Sequence, residues 1–329
     1  MTNKQLQLEI WHECNNQCSF CYLGKANLHT PNEVKLKSLE HALEIISDLS
    51  LYTEKGYNTI GYIGGEFFQG QLNTPEIRDK FFELMKKTAW LKENGYIHSV
   101  WMYVTLTIGD QKDLYNVLDL YKDLDGFWIL TSYDTAGRFH TEAAEKNWRF
   151  HMKNLYNKYP KLRFNVTSIL TGDLAEKYLD NKLSFKQMME EFHCSFFLKQ
   201  CGSPGMTKEQ MNAKVPNFFP KRKVFLEFLK KFKHDEPAEL WNKMMNIEYR
   251  ADAMYRMTDE AGKELVLYHR NKETYLETCD EDYGDIATGF TLNPSCNHMD
   301  LYKVYIDSEA CILCDKQMIE KIYDLENEE

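Results

Sequence analysis

Six strand-like runs, each followed by a segment with helical periodicity, make the first two-thirds of this 329-residue chain α/β. Strict alternation of this kind predicts a parallel sheet, and six units suit an open or partial barrel, a partial (β/α)6 TIM-like architecture. Two further observations point the same way. The chemically unusual residues fall just past the carboxyl ends of the predicted strands, where such folds hold their active sites. Beyond about residue 202 the rhythm fails, which predicts a barrel domain over 1–201 and a smaller C-terminal α+β cysteine-rich domain over 202–329.

The elements follow in order. Leu6, Leu8 and Ile10 alternate with polar residues as a strand does. Ser38 is placed to cap a helix whose Leu39, Ala42, Leu43, Ile46 and Leu49 share one face. Thr59 to Gly64 is a second strand, and Thr74-Pro75 opens a helix carrying Ile77, Phe81, Leu84 and Met85. The third strand is read from Val100 to Ile108, with a helix capped near Asp110. A fourth runs from Phe127 to Ser132, before a helix with Ala144, Trp148, Met152 and Leu155 at helical spacing. Phe164 to Leu170 is the fifth strand, helices follow Asp173 and Ser184, and Ser195 to Leu198 is a short sixth strand. Further on, Gly202-Ser203-Pro204-Gly205 is a linker, and Lys221 to Lys233, with six basic residues and one acidic, is an amphipathic helix with a solvated basic face. Leu265 to His269 and Thr274 to Leu276 are read as a hairpin across Asn271-Lys272.

Composition narrows the function classes. Hydrophobic residues at 43% and charged residues at 27% suit a globular core and exclude wholesale disorder. The longest mainly apolar uncharged stretch, Ser99 to Gly109, falls short of the roughly 18 residues that span a bilayer, so no membrane segment is expected. The N-terminus lacks the apolar block of a secretory signal, and a cytoplasmic location is expected. A formal charge of −10 disfavours a protein that grips long nucleic acid through phosphate neutralisation. Nine cysteines, an odd number without an export signal, argue for metal, cluster or redox chemistry over a disulfide framework.

Three of them, Cys14, Cys18 and Cys21, lie within eight residues, with three and then two residues between them. Thiolates favour iron–sulfur clusters or zinc. A structural zinc site wants four ligands, with His12 as a candidate fourth, whereas three ligands on a four-iron cluster leave one iron open. The alternative of three buried thiols on one helix face is weakened by Asn15, Asn16 and Ser19, which favour turns.

With Phe20 before the third cysteine and Gly64-Gly65-Glu66 closing the second strand, the sequence resembles the radical S-adenosylmethionine superfamily. The resemblance covers roughly residues 5–200 in architecture, with its specific motifs in a few short stretches. It implies that Cys14, Cys18 and Cys21 hold a [4Fe–4S] cluster and are the catalytic cysteines. It also implies that Gly64 and Gly65 allow backbone to approach the methionine ammonium of S-adenosylmethionine, that Glu66 offers a counter-charge, and that Phe20 and Tyr22 lie at the adenine. Ser132 and Arg138 are the further cofactor contacts it suggests, although Ser132-Tyr133-Asp134-Thr135 lacks the usual glycine. Thr105, Thr107 and Thr167 are candidate ribose contacts. The implied chemistry is reductive cleavage of S-adenosylmethionine to methionine and a 5′-deoxyadenosyl radical that abstracts hydrogen from an unactivated carbon.

A second group, Cys279, Cys296, Cys311 and Cys314, has 16, 14 and 2 intervening residues. Four thiols with one close pair suit a second [4Fe–4S] cluster or a zinc ion, with His298 a candidate substitute ligand. The segment from Cys296 to Cys311 is similar to the auxiliary-cluster extensions called SPASM or twitch domains. Cys194 and Cys201 read as a buried thiol and a loop thiol. The expectation is a radical enzyme acting on a peptide or protein side chain, served by a flavodoxin- or ferredoxin-like electron donor. The alternatives are modification of a nucleotide or nucleic-acid base, supported locally by the basic helix, and a non-catalytic iron–sulfur or zinc protein.

Overall fold

The computed structural model describes residues 4–16, 18, 30–70, 72–107, 109–135, 137–199, 217, 222–238, 240, 251–258 and 264–269, with the backbone alone at 199, 222, 225–226, 251–258 and 264–269. The elements in chain order are β1 (Lys4–Glu9), α1 (Asn32–Ser47), α2 (Ser50–Thr53), β2 (Tyr57–Ile63), α3 (Pro75–Glu93), β3 (Ser99–Tyr103) and α4 (Lys112–Tyr121). They continue as β4 (Phe127–Ser132), α5 (Glu142–Lys158), β5 (Arg163–Ile169), α6 (Gly172–Leu179), α7 (Phe185–Phe192), β6 (Cys194–Lys199), α8 (Arg222–Asp235), β7 (Ala251–Thr258) and β8 (Glu264–His269).

The six predicted strands are all present and all parallel, in spatial order 6-5-4-3-2-1. An order that never reverses, with crossovers of one hand, keeps the connecting helices on one face, as in a partial barrel. Period-two alternation separates the faces. Leu6, Leu8, Ile60, Tyr62, Val100, Met102, Ile129 and Phe196 are buried in the core, and Tyr62 Oη meets Thr88 Oγ1 of α3 at 2.5 Å. The opposite face carries Gln7, Gly61, Trp101 and Trp128 in one register row. At Gly61 an added Cβ would sit 2.0 Å from the Trp101 indole, so glycine in mid-strand is what lets that ring lie across β2.

Helix caps are local features, and those at Thr74 and Ser184 were legible in the sequence, whereas Thr141 and Thr171 were not singled out. Thr74, Thr141, Thr171 and Ser184 each accept the N–H three residues on, from Ile77, Ala144, Leu174 and Gln187 at 3.2–3.3 Å. Each such cap is worth about 1 kcal/mol.

Two expectations need correction. Helix α1 starts at Asn32, behind Pro31, and Ser38 lies inside it, its hydroxyl donating to the Ile10 carbonyl. Strand β3 stops at Tyr103, because the chain turns through Leu106 at φ 58° and the Thr105 N–H leaves the ladder for the Glu66 carboxylate. Thr105 and Thr107 are therefore loop residues. β8 pairs antiparallel with β7, a strand the sequence reading missed, while the other half of the expected hairpin, 274–276, lies outside the described residues. Strand β7 in turn pairs parallel with β1, with Glu9 opposite Arg256, so β1 has a neighbour on both sides.

The basic helix α8 is held from below. Phe228 and Phe232 lie edge-on or tilted against Tyr178 and, for Phe232, Phe185, and all are buried. Glu236, one residue past α8, accepts the N–H groups of Phe185 and Lys186 at the start of α7, at 3.2 and 2.8 Å. Burial is the main influence on that carboxyl and raises its pKa, against the pull of those two donors. Lys223, Lys230 and Lys233 are exposed, as the amphipathic reading expects. Among the described residues, no helix is long and apolar enough to cross a membrane.

Candidate functional site

The sequence motifs meet where β1, β2 and β3 end. After β1 the chain runs on beside the loop that follows β2: Ile10 N–H donates to Ile63 O (3.1 Å), Gly65 N–H to Trp11 O (2.7 Å) and Glu66 N–H to Glu13 O (2.9 Å). The paired glycines are required by this approach. A Cβ on Gly64, at φ +150°, would lie 2.2 Å from Trp11 O, and one on Gly65 would lie 1.9 Å from Glu13 O. In this structure the glycines thus admit the backbone that leads into the cysteines, which puts the Gly64-Gly65-Glu66 turn directly against the segment entering Cys14.

Glu66 is fully buried. Its Oε1 accepts from Phe68 N–H at 3.0 Å and its Oε2 from Thr105 N–H at 2.5 Å, so the carboxyl ties the β2 loop to the end of β3. Burial pushes its pKa up, while the Thr105 and Phe68 donors and the Arg138 charge pull it back.

Cys14 is half-buried and Cys18 buried. The Asn16 N–H donates to Cys14 Sγ at 3.4 Å. Arg138, fixed by its Nε on Asp134 Oδ2 at 2.7 Å, lies within electrostatic reach of both sulfurs. Burial alone would weaken its base strength, but Cys18, Asp134 and Cys14 together raise it. Asp134 is itself anchored, accepting from Ile169 N–H at 2.6 Å, so the turn after β4 presents Arg138 from β5. Ser132 ends β4, half-buried and in register with Thr167.

A polar network that the sequence reading did not single out surrounds the cysteine loop. Gln69 bonds Asn15, Asn16, Thr105 and Thr107. Thr107 Oγ1 donates to Asn16 Oδ1 at 2.8 Å, Asn147 Nδ2 to Thr107 O at 3.1 Å, and His140 Nε2 meets Asn16 O at 2.9 Å. No local signal marks Gln69; Asn16 was visible only as a turn former. Lys35, buried on α1, ion-pairs with Glu13 immediately before Cys14. His12, the candidate zinc ligand, places Nε2 2.9 Å from Glu9 Oε1.

Among the described residues, Asn16 Nδ2 of this shell is buried without a hydrogen-bond acceptor. A buried donor without a partner costs about 1–3 kcal/mol, and a ligand oxygen would remove that cost. Two soft thiols, a nearby guanidinium and an unfilled donor fit an anionic thiolate-bound centre with a polar ligand beside it. Cys21, Phe20 and Tyr22, like Cys201, His298 and the group Cys279, Cys296, Cys311 and Cys314, lie outside the described residues. Among the described residues, no three His, Cys, Asp or Glu side chains converge as a metal site. Cys194 is a buried thiol, its Sγ 3.8 Å from Met188 O, and burial pushes its pKa up to about 12.

No family model matches the chain, and no curated protein sequence matches it. Among solved structures it is similar to Streptococcus suis SuiB in three forms. The SuiB crystal structure has 12% identity and a TM-score of 0.44, and SuiB bound to precursor peptide SuiA has 13% identity and a TM-score of 0.46. Each of these two likenesses covers 71% of this chain but only 47% of SuiB, so the chain spans about half of those structures. SuiB bound to S-adenosylmethionine has 13% identity and a TM-score of 0.49, over 96% of this chain and 77% of that one. Likenesses this distant carry no argument about chemistry, which rests on the residues.

Proposed function

We propose that this chain is a radical S-adenosylmethionine enzyme that takes hydrogen from a peptide or protein substrate. The observation that carries the reading is the hydrogen-bonded contact between the segment entering Cys14 and the Gly64-Gly65-Glu66 turn, because it brings two motifs fifty residues apart in sequence to one end of a parallel sheet. In this reading Cys14, Cys18 and Cys21 hold a [4Fe–4S] cluster whose open iron binds S-adenosylmethionine. When bound, that pair supplies reductive cleavage to methionine and a 5′-deoxyadenosyl radical, with the electron from a flavodoxin- or ferredoxin-like donor. The chain's own residues do the rest. Arg138, fixed by Asp134, sets positive charge beside the sulfurs; Glu66 and Gln69 lock the three loops; Asn16 Nδ2 and the β4 end at Ser132 offer polar contacts to the cofactor. Phe20 and Tyr22 are assigned to the adenine.

The barrel is proposed to end near 201, with 202–329 contributing substrate recognition and a second centre at Cys279, Cys296, Cys311 and Cys314. The peptide class rests on the similarity of that segment to auxiliary-cluster domains. The basic helix gives a nucleotide substrate little local support, since its apolar face packs on α6 and α7 and Lys231 and Lys223 pair with Asp235 and Glu227.

Anaerobically reconstituted, reduced protein is expected to convert S-adenosylmethionine to 5′-deoxyadenosine and methionine, and Cys18→Ala to abolish this. No product from protein with a full iron complement would overturn the reading. Metal analysis addresses the second centre: about 8 iron per chain supports two clusters, and about 4 iron with one zinc supports a structural ion.

A further inference from the structure

We propose that Gln69 is a positioning residue that sets the N–H···S hydrogen bond on Cys14, and through it the reduction potential of the centre that Cys14 ligates. The inference rests on the cluster reading above for the identity of that centre, and on the hydrogen bonds of this chain for everything else.

Gln69 is 7% exposed, and its side chain, from the loop after β2, bonds to the loops after β1 and β3 at once. Its Oε1 accepts from Asn15 N–H at 3.2 Å, and its main-chain oxygen accepts from Asn15 Nδ2 at 2.8 Å. Its Nε2 donates to Thr107 Oγ1 at 2.9 Å, with Thr105 Oγ1 at 3.2 Å and Asn16 Oδ1 at 3.4 Å. The orientation of the amide follows from its partners: turned over, its NH2 would face the Asn15 N–H and its oxygen would face Asn16 Oδ1. Thr107 then accepts from Gln69 and passes its own proton to Asn16 Oδ1 at 2.8 Å. Asn15 is held at both its N–H and its side chain, and Asn16 at its side chain and, by His140, at its carbonyl. The peptide between them has little freedom left, and its N–H, that of Asn16, points at Cys14 Sγ 3.4 Å away.

Hydrogen bonds to cysteinyl sulfur withdraw electron density from the thiolate and favour the reduced, more negative cluster, so they raise its potential. Glu66, three residues earlier, fixes the same loop through Phe68 and Thr105, so the link from Gln69 to the cysteine loop is additional to that tie. Removing the Gln69 amide takes away the bond to the Asn15 N–H and the support of Thr107, so the Asn15–Asn16 peptide is held less firmly and the bond to Cys14 weakens.

The test is a redox titration of reconstituted wild-type and variant protein, followed by the EPR signal of the reduced cluster, with iron and sulfide content measured in parallel. Gln69→Leu is expected to shift the midpoint to more negative potential, by about tenfold in the reduction equilibrium, which is about 59 mV for one electron. Thr107→Val, which removes the proton given to Asn16, is expected to shift it in the same direction by less, while Thr107→Ser, which keeps that proton, titrates as wild type. Where Gln69→Leu assembles no cluster, the Thr107 pair decides. Wild-type and variant midpoints that coincide, at equal iron content, overturn the role of Gln69 and leave the enzyme reading standing. A wild-type protein that assembles no cluster overturns both.

Discussion

Gly65→Ala tests the contact on which the site is built. The added methyl would lie 1.9 Å from Glu13 O and 2.5 Å from His12 O, and real Cβ atoms essentially never come within 3.0 Å of such neighbours. Both obstacles are backbone, so no side chain can swing aside; the segment entering Cys14 must retreat by about 1 Å or more. That retreat stretches the bonds from Gly65 N–H to Trp11 O and from Glu66 N–H to Glu13 O, now 2.7 and 2.9 Å. Overpacking costs about 1–3 kcal/mol and each weakened bond about 0.5–1.5 kcal/mol, for a loss of roughly 3 kcal/mol. Urea unfolding is expected to show a lower midpoint at unchanged slope. Iron uptake on reconstitution should fall with it, because the same movement displaces Cys14. Gly109→Ala is the control: nothing among the described residues lies within 4 Å of its Cβ position, and its stability should stay within about 0.5 kcal/mol of wild type. A Gly65→Ala protein as stable as Gly109→Ala would refute the argument.

Glu66→Gln should destabilise by about 1–3 kcal/mol in the same urea assay, since an amide offers one acceptor where Phe68 and Thr105 N–H groups need two. Cys194 should resist N-ethylmaleimide at pH 7–8 in native protein and react on unfolding, because its thiol pKa is pushed up to about 12. The folded pKa lies above the ordinary 9.0, so the unfolded state gives up this proton first, and the contribution to stability is full below pH 9 and is lost as pH rises towards 12. Phe232→Ala should cost about 3–5 kcal/mol by emptying the space between α8, Tyr178 and Phe185, whereas Lys230→Gln and Lys233→Gln on the exposed face should change stability by less than about 0.5 kcal/mol.

Much of the candidate site was written into short stretches of sequence. Cys14, Cys18 and Gly64 to Glu66 were legible because thiol spacing and a strand-ending Gly-Gly-Glu are properties of neighbouring residues. The purpose of the glycines was not: the close approach they permit in the structure is to Trp11, His12 and Glu13, more than fifty positions away. Ser132 and Arg138 were named by resemblance, but Asp134, which aims Arg138, was visible only as part of a turn. Gln69 carried no signal at all, since a glutamine after Phe67-Phe68 becomes informative only when Asn15 and Thr107 are folded against it.

By itself the sequence determined the six strand/helix units, the helix starts at Thr74 and Ser184 and the clustering of cysteines beyond the strand ends, because hydrophobic period, capping and ligand spacing are set within a few residues along the chain. Only the tertiary structure decided that β7 joins the sheet beside β1, that β3 ends at Tyr103 and that Gln69, Glu66 and Arg138 converge on the cysteine loop. Each of those depends on hydrogen-bonding groups brought together from distant parts of the chain, and a backbone N–H such as that of Thr105 goes to the ladder or to a buried carboxylate according to which acceptor the fold places in front of it.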